Sequence, residues 1–138
     1  MATYTKFNSF VEALAEKAHN LGSDTLKIAL CASASAPVAA NAVLADLTEI
    51  AYTNLSARTL TTSSSGQTSG TYKLVLADLT LSASGGAVAA FQYIVIYNDS
   101  ASNKELIGFY NYGSAVTLQN GDQFVLDFDA SNGVIQIA

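Results

Sequence analysis

Apolar residues near the start of the chain recur every three or four positions, which is the spacing of one helix face. They are Phe10, Val11, Leu14, Ala18 and Leu21. This pattern predicts an N-terminal helix over about 9–20. Ser9 and Glu12 have the spacing of a capping box at the helix start. Gly22 supplies a residue that can adopt the left-handed conformation at the helix end.

From residue 26 the apolar period changes to two, which is the spacing of a β-strand. Segment 88–99 is the most apolar and predicts a central strand that is buried on both faces. Because turn signals separate the strands about every eight to twelve residues, we expect an all-β fold, an antiparallel β-sandwich with the jelly roll as one option. The strand segments are 26–31, 71–76, 79–81, 88–99, 104–113, 115–118, 123–129 and 134–138.

Two Asn-Gly pairs mark turns in the last part of the chain. The first, at 120–121, predicts a hairpin between 115–118 and 123–129. The second, at 132–133, predicts a turn before 134–137. We expect 134–137 to pair with 123–129 inside the sandwich. We also expect this final strand to end near a contact with another subunit.

A long stretch between the first two strong strands carries few apolar residues in a regular pattern. It spans about 32–71 and is too long for an ordinary connection in a compact domain. Within it, 58–62 and 71–76 look like two strands that are joined by a flexible tip at 63–70. We interpret this excursion as a functional surface loop or as an arm that reaches a neighbour.

Composition limits the classes of partner. The 138 residues fit one domain, 1–138, and only 12% of them are charged, about half the share of an average globular protein. The net charge is −5 with six Lys and Arg, so no basic stripe is present and we expect no nucleic-acid partner. No stretch approaches the ~20 apolar residues of a membrane span. We therefore expect no membrane association and, because the first residues lack a signal-peptide core, no export.

Side chains that could carry catalysis are few and scattered. The single histidine, His19, lies near the predicted helix end with no nucleophile close in sequence, so we interpret it as structural. The single cysteine, Cys31, lies in an apolar strand, and we interpret it as a small buried hydrophobic residue. Asp127 and Asp129 lie two apart on one strand face. We interpret them as an exposed acidic face, with a glycosidase pair as the alternative.

Two further binding chemistries remain as alternatives. Asp127, Asp129 and Ser131 resemble the first ligands of a calcium loop, but the glycine comes one place late and no glutamate closes the loop. An EF-hand is thereby excluded and only a weaker structural calcium site remains. An aromatic platform for a sugar is the second alternative, although alternating aromatic residues more often pack in the core. Its residues are Tyr97, Phe109, Tyr110 and Tyr112. We expect no catalytic residue, no cofactor and no bound metal.

Several segments along nearly the whole chain resemble small virion structural proteins of tailed bacteriophages. None of them contains a catalytic motif. The segments are KFNSFVEALAEKAHNLGSDTLKIAL, LADLTEI, TSGTYKLVLADLTLSASGG, FQYIVIYND, LIGFYNYGS and LQNGDQFVLDFDASNGVIQIA.

The resemblance implies a virion component that is assembled in the host cytoplasm and is not an enzyme. We expect a capsid decoration (cement) protein that stabilises the head by bridging major capsid proteins. It would do so as a homo-oligomer, of which a trimer is one option. The alternative is a tail or head-fibre component, or a receptor- or glycan-binding module with an exposed cluster of Tyr97, Tyr110 and Tyr112. The segments that we expect to make contacts are 2–6, 35–56 and 63–70.

Overall fold

The structure is a computed structural model that describes residues 2–138. It confirms the predicted all-β fold with one short helix, and every strand pair is antiparallel. The elements are β1 (Thr3–Lys6), α1 (Phe10–Ala15), β2 (Leu26–Cys31), β3 (Thr62–Thr68), β4 (Thr71–Leu76), β5 (Leu79–Ser82), β6 (Phe91–Asn98), β7 (Leu106–Val116), β8 (Gln123–Leu126) and β9 (Ile135–Ile137), with 3-10 turns at Ser33–Ser35 and Leu44–Asp46.

The strands form a sandwich-like arrangement. The larger sheet has the order β1-β7-β6-β2, and two smaller sheets have the orders β3-β4-β9 and β5-β8. Side chains from the larger sheet, such as Ile28 and Ile96, share one buried cluster with Leu74 and Leu81 of the smaller sheets. The inner face of the larger sheet is therefore covered by the two smaller sheets together, and β6 is buried along most of its length as its apolar sequence predicts.

The outer face of the larger sheet is covered by the excursion. Cys31, Val95 and Phe109 belong to a second buried cluster, on which Leu44 and Leu47 pack. Backbone hydrogen bonds hold the excursion there: the N–H of Leu44 donates to the carbonyl of Lys104 at 3.0 Å, and the N–H of Leu106 to that of Ala42 at 3.0 Å. The part of the excursion between residues 38 and 50 is thus packed on its own sheet and does not project as an arm.

The end of the excursion is fastened to the edge of β2. Nη1 of Arg58 donates to the carbonyl of Ile28 at 2.7 Å. The Arg58 guanidinium also lies 3.7 Å from the centre of the Tyr52 ring, and the Tyr52 hydroxyl accepts the N–H of Leu30 at 2.9 Å. The prediction that 58–62 is a strand joined by a turn to 71–76 is therefore wrong. Residues 58–60 hydrogen-bond to β2, with the N–H of Ile28 donating to the carbonyl of Arg58 at 3.0 Å, and β3 begins only at Thr62. The predicted flexible tip is itself strand, since β3 continues to Thr68 and only Ser69 and Gly70 turn, both with positive φ.

The helix is shorter than its apolar pattern predicts. It ends at Ala15, and Lys17 rather than Gly22 adopts the left-handed conformation, with φ of 70°. The predicted capping box is wrong because Ser9 already has helical dihedral angles and its side chain makes no capping hydrogen bond. Leu21 is still buried, so the chain after the helix keeps the apolar contact that the longer helix was predicted to make.

Both Asn-Gly turns form, but the strands that they connect pair with other partners. β7 and β8 are not paired across residues 120–121, because β8 pairs with β5. The prediction that 134–137 pairs with 123–129 is also wrong, because β9 pairs with β4, with Ile135 opposite Leu74. The turn at 132–133 reverses the chain as predicted, and the N–H of Val134 donates to the carbonyl of Leu74 at 2.8 Å.

Candidate functional site

Exposed apolar side chains are concentrated along one side of the sandwich. Four of them border two grooves that flank β1, and we call this surface the lateral face; the fifth, Val38, lies in the excursion. Because scattered exposed apolar residues are ordinary but a contiguous set indicates an interaction surface, the lateral face is the strongest candidate site. The exposed large apolar residues are Val11, Val38, Tyr112, Val125 and Ile137.

The first groove of the lateral face, the helix groove, lies between β1, α1 and β9. It has a volume of about 630 Å³ and is lined mainly by apolar side chains, with Val11 and Ile137 exposed in it. Within residues 2–138, Lys6 carries the one charged side chain of its lining, which also includes Ala138. An apolar groove of this kind gains free energy when a partner excludes water from it.

The second groove, the tyrosine groove, lies between the start of β1 and β8. It has a volume of about 480 Å³. Tyr112 is 43% exposed and meets Phe124 edge to face at 5.2 Å between ring centres. Asp127 and Asp129 lie in its lining together with Ala2. The tyrosine groove therefore combines aromatic surface with negative charge, whereas the helix groove carries a positive charge.

The strand between the grooves, β1, is an edge strand. It pairs with β7 on one side, and within residues 2–138 no strand pairs with its other side. The N–H of Phe7 donates to the carbonyl of Ile107 of β7 at 3.1 Å. Because N–H and C=O groups alternate in direction along an antiparallel strand, Thr5 faces β7 while Tyr4 and Lys6 present their backbone groups outward.

The Tyr4 ring lies directly against Gly108, where only a glycine leaves room for it. A Cβ built there would lie 2.5 Å from Cζ and 2.7 Å from Cε2 of Tyr4. The ring also packs against Tyr110 at 4.9 Å between centres. Burial raises the pKa of the Tyr4 hydroxyl far above its ordinary value, so this hydroxyl stays neutral. Tyr4 therefore anchors β1 against β7.

A larger cavity than either groove lies elsewhere, at the end of α1, with a volume of about 980 Å³. Beneath it, Nδ2 of the fully buried Asn98 donates to Nδ1 of His19 at 3.0 Å and to Oδ2 of Asp24 at 2.6 Å. The accepting role of Nδ1 places the His19 proton on Nε2. Nε2 of His19 and Oε2 of Glu105 are both buried, and neither has a hydrogen-bond partner among the described residues. This polar cluster joins the helix end to the loop after β6.

His19 makes the stability of the protein depend on pH. Burial lowers its pKa below the ordinary value, against the opposing effect of the Glu105 and Asp24 carboxylates. The unfolded chain, with a His pKa of about 6.5, therefore binds the proton more tightly than the folded chain. We expect the contribution of His19 to the free energy of unfolding to be complete above about pH 6.5. Below that pH the free energy of unfolding should decrease by up to about 1.4 kcal/mol per pH unit. Urea denaturation between pH 7.5 and 5.5 measures this.

The variant His19→Gln provides the control for the pH prediction. Its amide cannot take up a proton in this range, so its stability should change much less between pH 7.5 and 5.5. An equal decline in both proteins would contradict the assignment of this pH dependence to His19.

Of the four residues proposed from the sequence for sugar binding, only Tyr110 and Tyr112 come together, in the lining of the tyrosine groove, whereas Phe109 is buried in the outer-face cluster like Tyr97. Tyr97 is only 3% exposed and belongs to the outer-face cluster, whereas Tyr110 packs on the inner-face cluster. Tyr110 and Tyr112 therefore form no common platform with Tyr97. Tyr112 alone keeps an exposed ring.

Asp127 and Asp129 are both exposed, as expected for an acidic face. Oδ1 of Asp129 accepts the N–H groups of Ser131 and Asn132, each at 2.8 Å. These hydrogen bonds, with the Asn132 amide, lower the pKa of the Asp129 carboxyl below its ordinary value. A glycosidase acid needs a raised pKa, so Asp129 is suited to holding its loop together.

The structure also places the other residues and segments that were singled out from the sequence. Cys31 is buried in the outer-face cluster and free, as predicted, and burial raises its pKa to about 11. Within 2–138, no group of three or more His, Cys, Asp or Glu side chains is arranged to hold a metal ion. Of the contact segments, 2–6 contains the edge strand β1, and 63–70 contains the exposed half of the β3–β4 hairpin.

The lateral face was only partly foreseen from the sequence. Segment 2–6 was included among the expected contacts, but the grooves on either side of it were missed because their walls come from distant segments. No helix in the described part of the chain is long and apolar enough to cross a membrane. Comparison of the chain with protein-family models, with curated proteins and with solved structures finds no match.

Proposed function

We propose that the chain is a structural protein of a tailed-bacteriophage virion that decorates the head and binds major capsid proteins together. The observation that carries the proposal is the lateral face, where two apolar grooves and an unpaired strand edge lie side by side. The sequence resemblance to small virion proteins supports the same role. Such a protein is assembled in the host cytoplasm and acts in the virion, without catalysis.

The physical basis of this role is the sum of many weak contacts. Apolar surface that is removed from water contributes about 25 cal/mol per Å², and an unpaired strand edge offers backbone hydrogen bonds in addition. The low content of charged residues reduces the desolvation penalty of a broad contact. A homo-oligomer that carries several identical contact surfaces at once would bind a repetitive shell with high avidity.

A direct test compares two exposed valines of nearly equal exposure. Val125 lies in the tyrosine groove and is 56% exposed, and Val38 lies outside the lateral face and is 55% exposed. Purified protein is added to phage heads that lack it, and binding is measured by co-sedimentation. We expect Val125→Asp to weaken binding by roughly tenfold or more, and Val38→Asp to leave it unchanged.

Three outcomes would contradict the proposal or relocate the contact. Absence of the protein from purified particles, or catalytic turnover of a small molecule, would contradict the structural role. Loss of binding with Val38→Asp alone would move the contact to the excursion at 35–56.

The exposed Tyr112 ring favours a second candidate function. In a receptor- or glycan-binding part of a tail or head fibre, this ring would stack on a sugar. Glycan binding that is lost in Tyr112→Ala, without binding to heads, would support this function instead.

A further inference from the structure

We propose that β1 pairs with β1 of a second copy of this chain around a two-fold axis, which joins the two larger sheets into one continuous sheet. This inference rests on the proposed role as an assembling protein: the lateral face then joins two copies, and Val125→Asp weakens binding to heads by separating the pair that binds them with avidity. It follows from three features of the lateral face: the outward backbone groups of β1, the exposed apolar side chains that line its two grooves and the unlike charged side chains of the grooves.

The backbone groups of β1 fit this pairing in one register. Tyr4 and Lys6, and by the same alternation Ala2, present N–H and C=O groups away from β7. In an antiparallel pair, two such residues that lie opposite each other exchange both hydrogen bonds. A two-fold axis through Tyr4 places Tyr4 opposite its own copy and Ala2 opposite Lys6 of the other chain. All three outward positions are then paired.

The side chains agree with the same register. Because side chains alternate between the two faces of a strand, Ala2, Tyr4 and Lys6 all lie on the face that borders the grooves. Opposite residues of an antiparallel pair point to the same face, so the smaller sheets of both copies lie on one side of the joined sheet. Any register shifted by one residue would set the grooves of the two copies on opposite faces.

The two-fold axis also brings unlike grooves together. Lys6 lies at the helix-groove end of β1 and Ala2 at the tyrosine-groove end. Antiparallel pairing therefore sets the helix groove of one copy beside the tyrosine groove of the other, twice by symmetry. The exposed Val11 and Ile137 of one copy then approach the exposed Tyr112 and Val125 of the other.

Charge complementarity selects a second copy as the occupant. The helix groove carries Lys6, and the tyrosine groove carries Asp127 and Asp129. In the paired arrangement Lys6 of each chain lies next to Ala2 of the other and so approaches the acidic side chains of that groove. An unrelated partner would have to present both charges at the same spacing, whereas a second copy does so by symmetry.

Both grooves are needed for a stable contact. A specific interface removes about 1,200–2,000 Å² from water, which four paired residues of an edge strand do not supply. The grooves on both sides of β1 extend the contact along the whole lateral face. The pairing is therefore expected to depend on groove residues as well as on the backbone.

Charge-reversal variants test the pairing. Sedimentation equilibrium up to millimolar concentration gives the dimer dissociation constant. We expect Lys6→Glu and Asp127→Lys each to weaken the dimer roughly tenfold or more, because each creates two like-charge contacts per dimer. The double variant restores opposite charges and should return to within about threefold of the original protein. Circular dichroism verifies that each variant is folded.

A control variant and two outcomes complete the test. Lys17→Glu makes the same charge change outside the lateral face and should leave the dimer unchanged. A protein that is monomeric at every concentration would overturn the inference and would make Lys6 a charge that keeps the edge unpaired. A dimer that is insensitive to both single variants would overturn it equally.

Failure of this inference is distinguishable from failure of the proposed function. A monomer that still binds phage heads through Val125 contradicts only the pairing of β1. A dimer that has the expected charge dependence but does not bind heads contradicts only the virion role.

Discussion

Replacing Asn98 with leucine is expected to lower the free energy of unfolding by about 3–5 kcal/mol. Asn98 is fully buried and bonds four groups through one amide. Its Nδ2 donates to His19 and Asp24, and its Oδ1 accepts the N–H groups of Ser100 at 3.0 Å and Ala101 at 3.2 Å. Leucine has the same number and branching of side-chain heavy atoms, so the loss comes mainly from buried polar groups that are left without partners. Urea denaturation at pH 7.5 measures it.

Asn103→Ala is the matched control for this prediction. Asn103 is exposed, and its amide makes one long hydrogen bond of 3.3 Å to Glu105. Its replacement should change the free energy of unfolding by less than about 0.5 kcal/mol. If Asn98→Leu were as stable as this control, the loop after β6 would not depend on Asn98.

Replacing Gly133 with alanine is expected to lower the free energy of unfolding by about 3 kcal/mol. Gly133 has φ of 75°, which an L-residue adopts at a cost of about 1–2 kcal/mol. A Cβ there would also lie 3.0 Å from the carbonyl carbon of Leu74 and closer still to its oxygen. Since Leu74 belongs to β4, the clash can be relieved only by moving β9 away from β4, and thermal denaturation should show the loss.

Gly121→Ala separates the two contributions. Gly121 has φ of 92°, but a Cβ there meets no atom within 4 Å. It therefore carries only the cost of the left-handed conformation, about 1 kcal/mol. Equal losses for both variants would contradict the close approach of Gly133 to β4.

Most strands could be predicted because their information is local. The alternation in segment 123–126 matches the side of the strand that is buried, and the Asn-Gly pairs mark where the chain reverses. The buried positions of Cys31 and the central strand β6 were predictable for the same reason. The class of fold follows from these local patterns.

Strand partners could not be predicted because pairing depends on distant segments. The sequence around residues 120–121 favours a hairpin, but β8 pairs with β5, which lies about forty residues earlier. The helix was overpredicted because Ala18 and Leu21 continue an apolar period that the chain satisfies after Lys17 has ended the helix. The excursion was interpreted as an arm because its apolar residues, such as Leu44 and Leu47, are too widely spaced to show a pattern.

The lateral face could not be predicted from the sequence for the same reason, because distant segments form it. Its members come from both ends of the chain, from α1 and from β7 and β8. Each is an unremarkable exposed residue in the sequence, and only the fold brings them around an unpaired edge. Surfaces of this kind are not encoded in a local motif, in contrast to a catalytic signature.

The central claim is that the outward edge of β1 is used for assembly, and amide hydrogen exchange at different protein concentrations tests it most directly. The N–H groups of Tyr4 and Lys6 should exchange rapidly in dilute protein and slowly at high concentration, because the second copy protects them. The N–H of Thr5, which faces β7, should be protected to a similar degree throughout and serves as the internal reference. Rapid exchange of Tyr4 and Lys6 at every concentration would contradict the account.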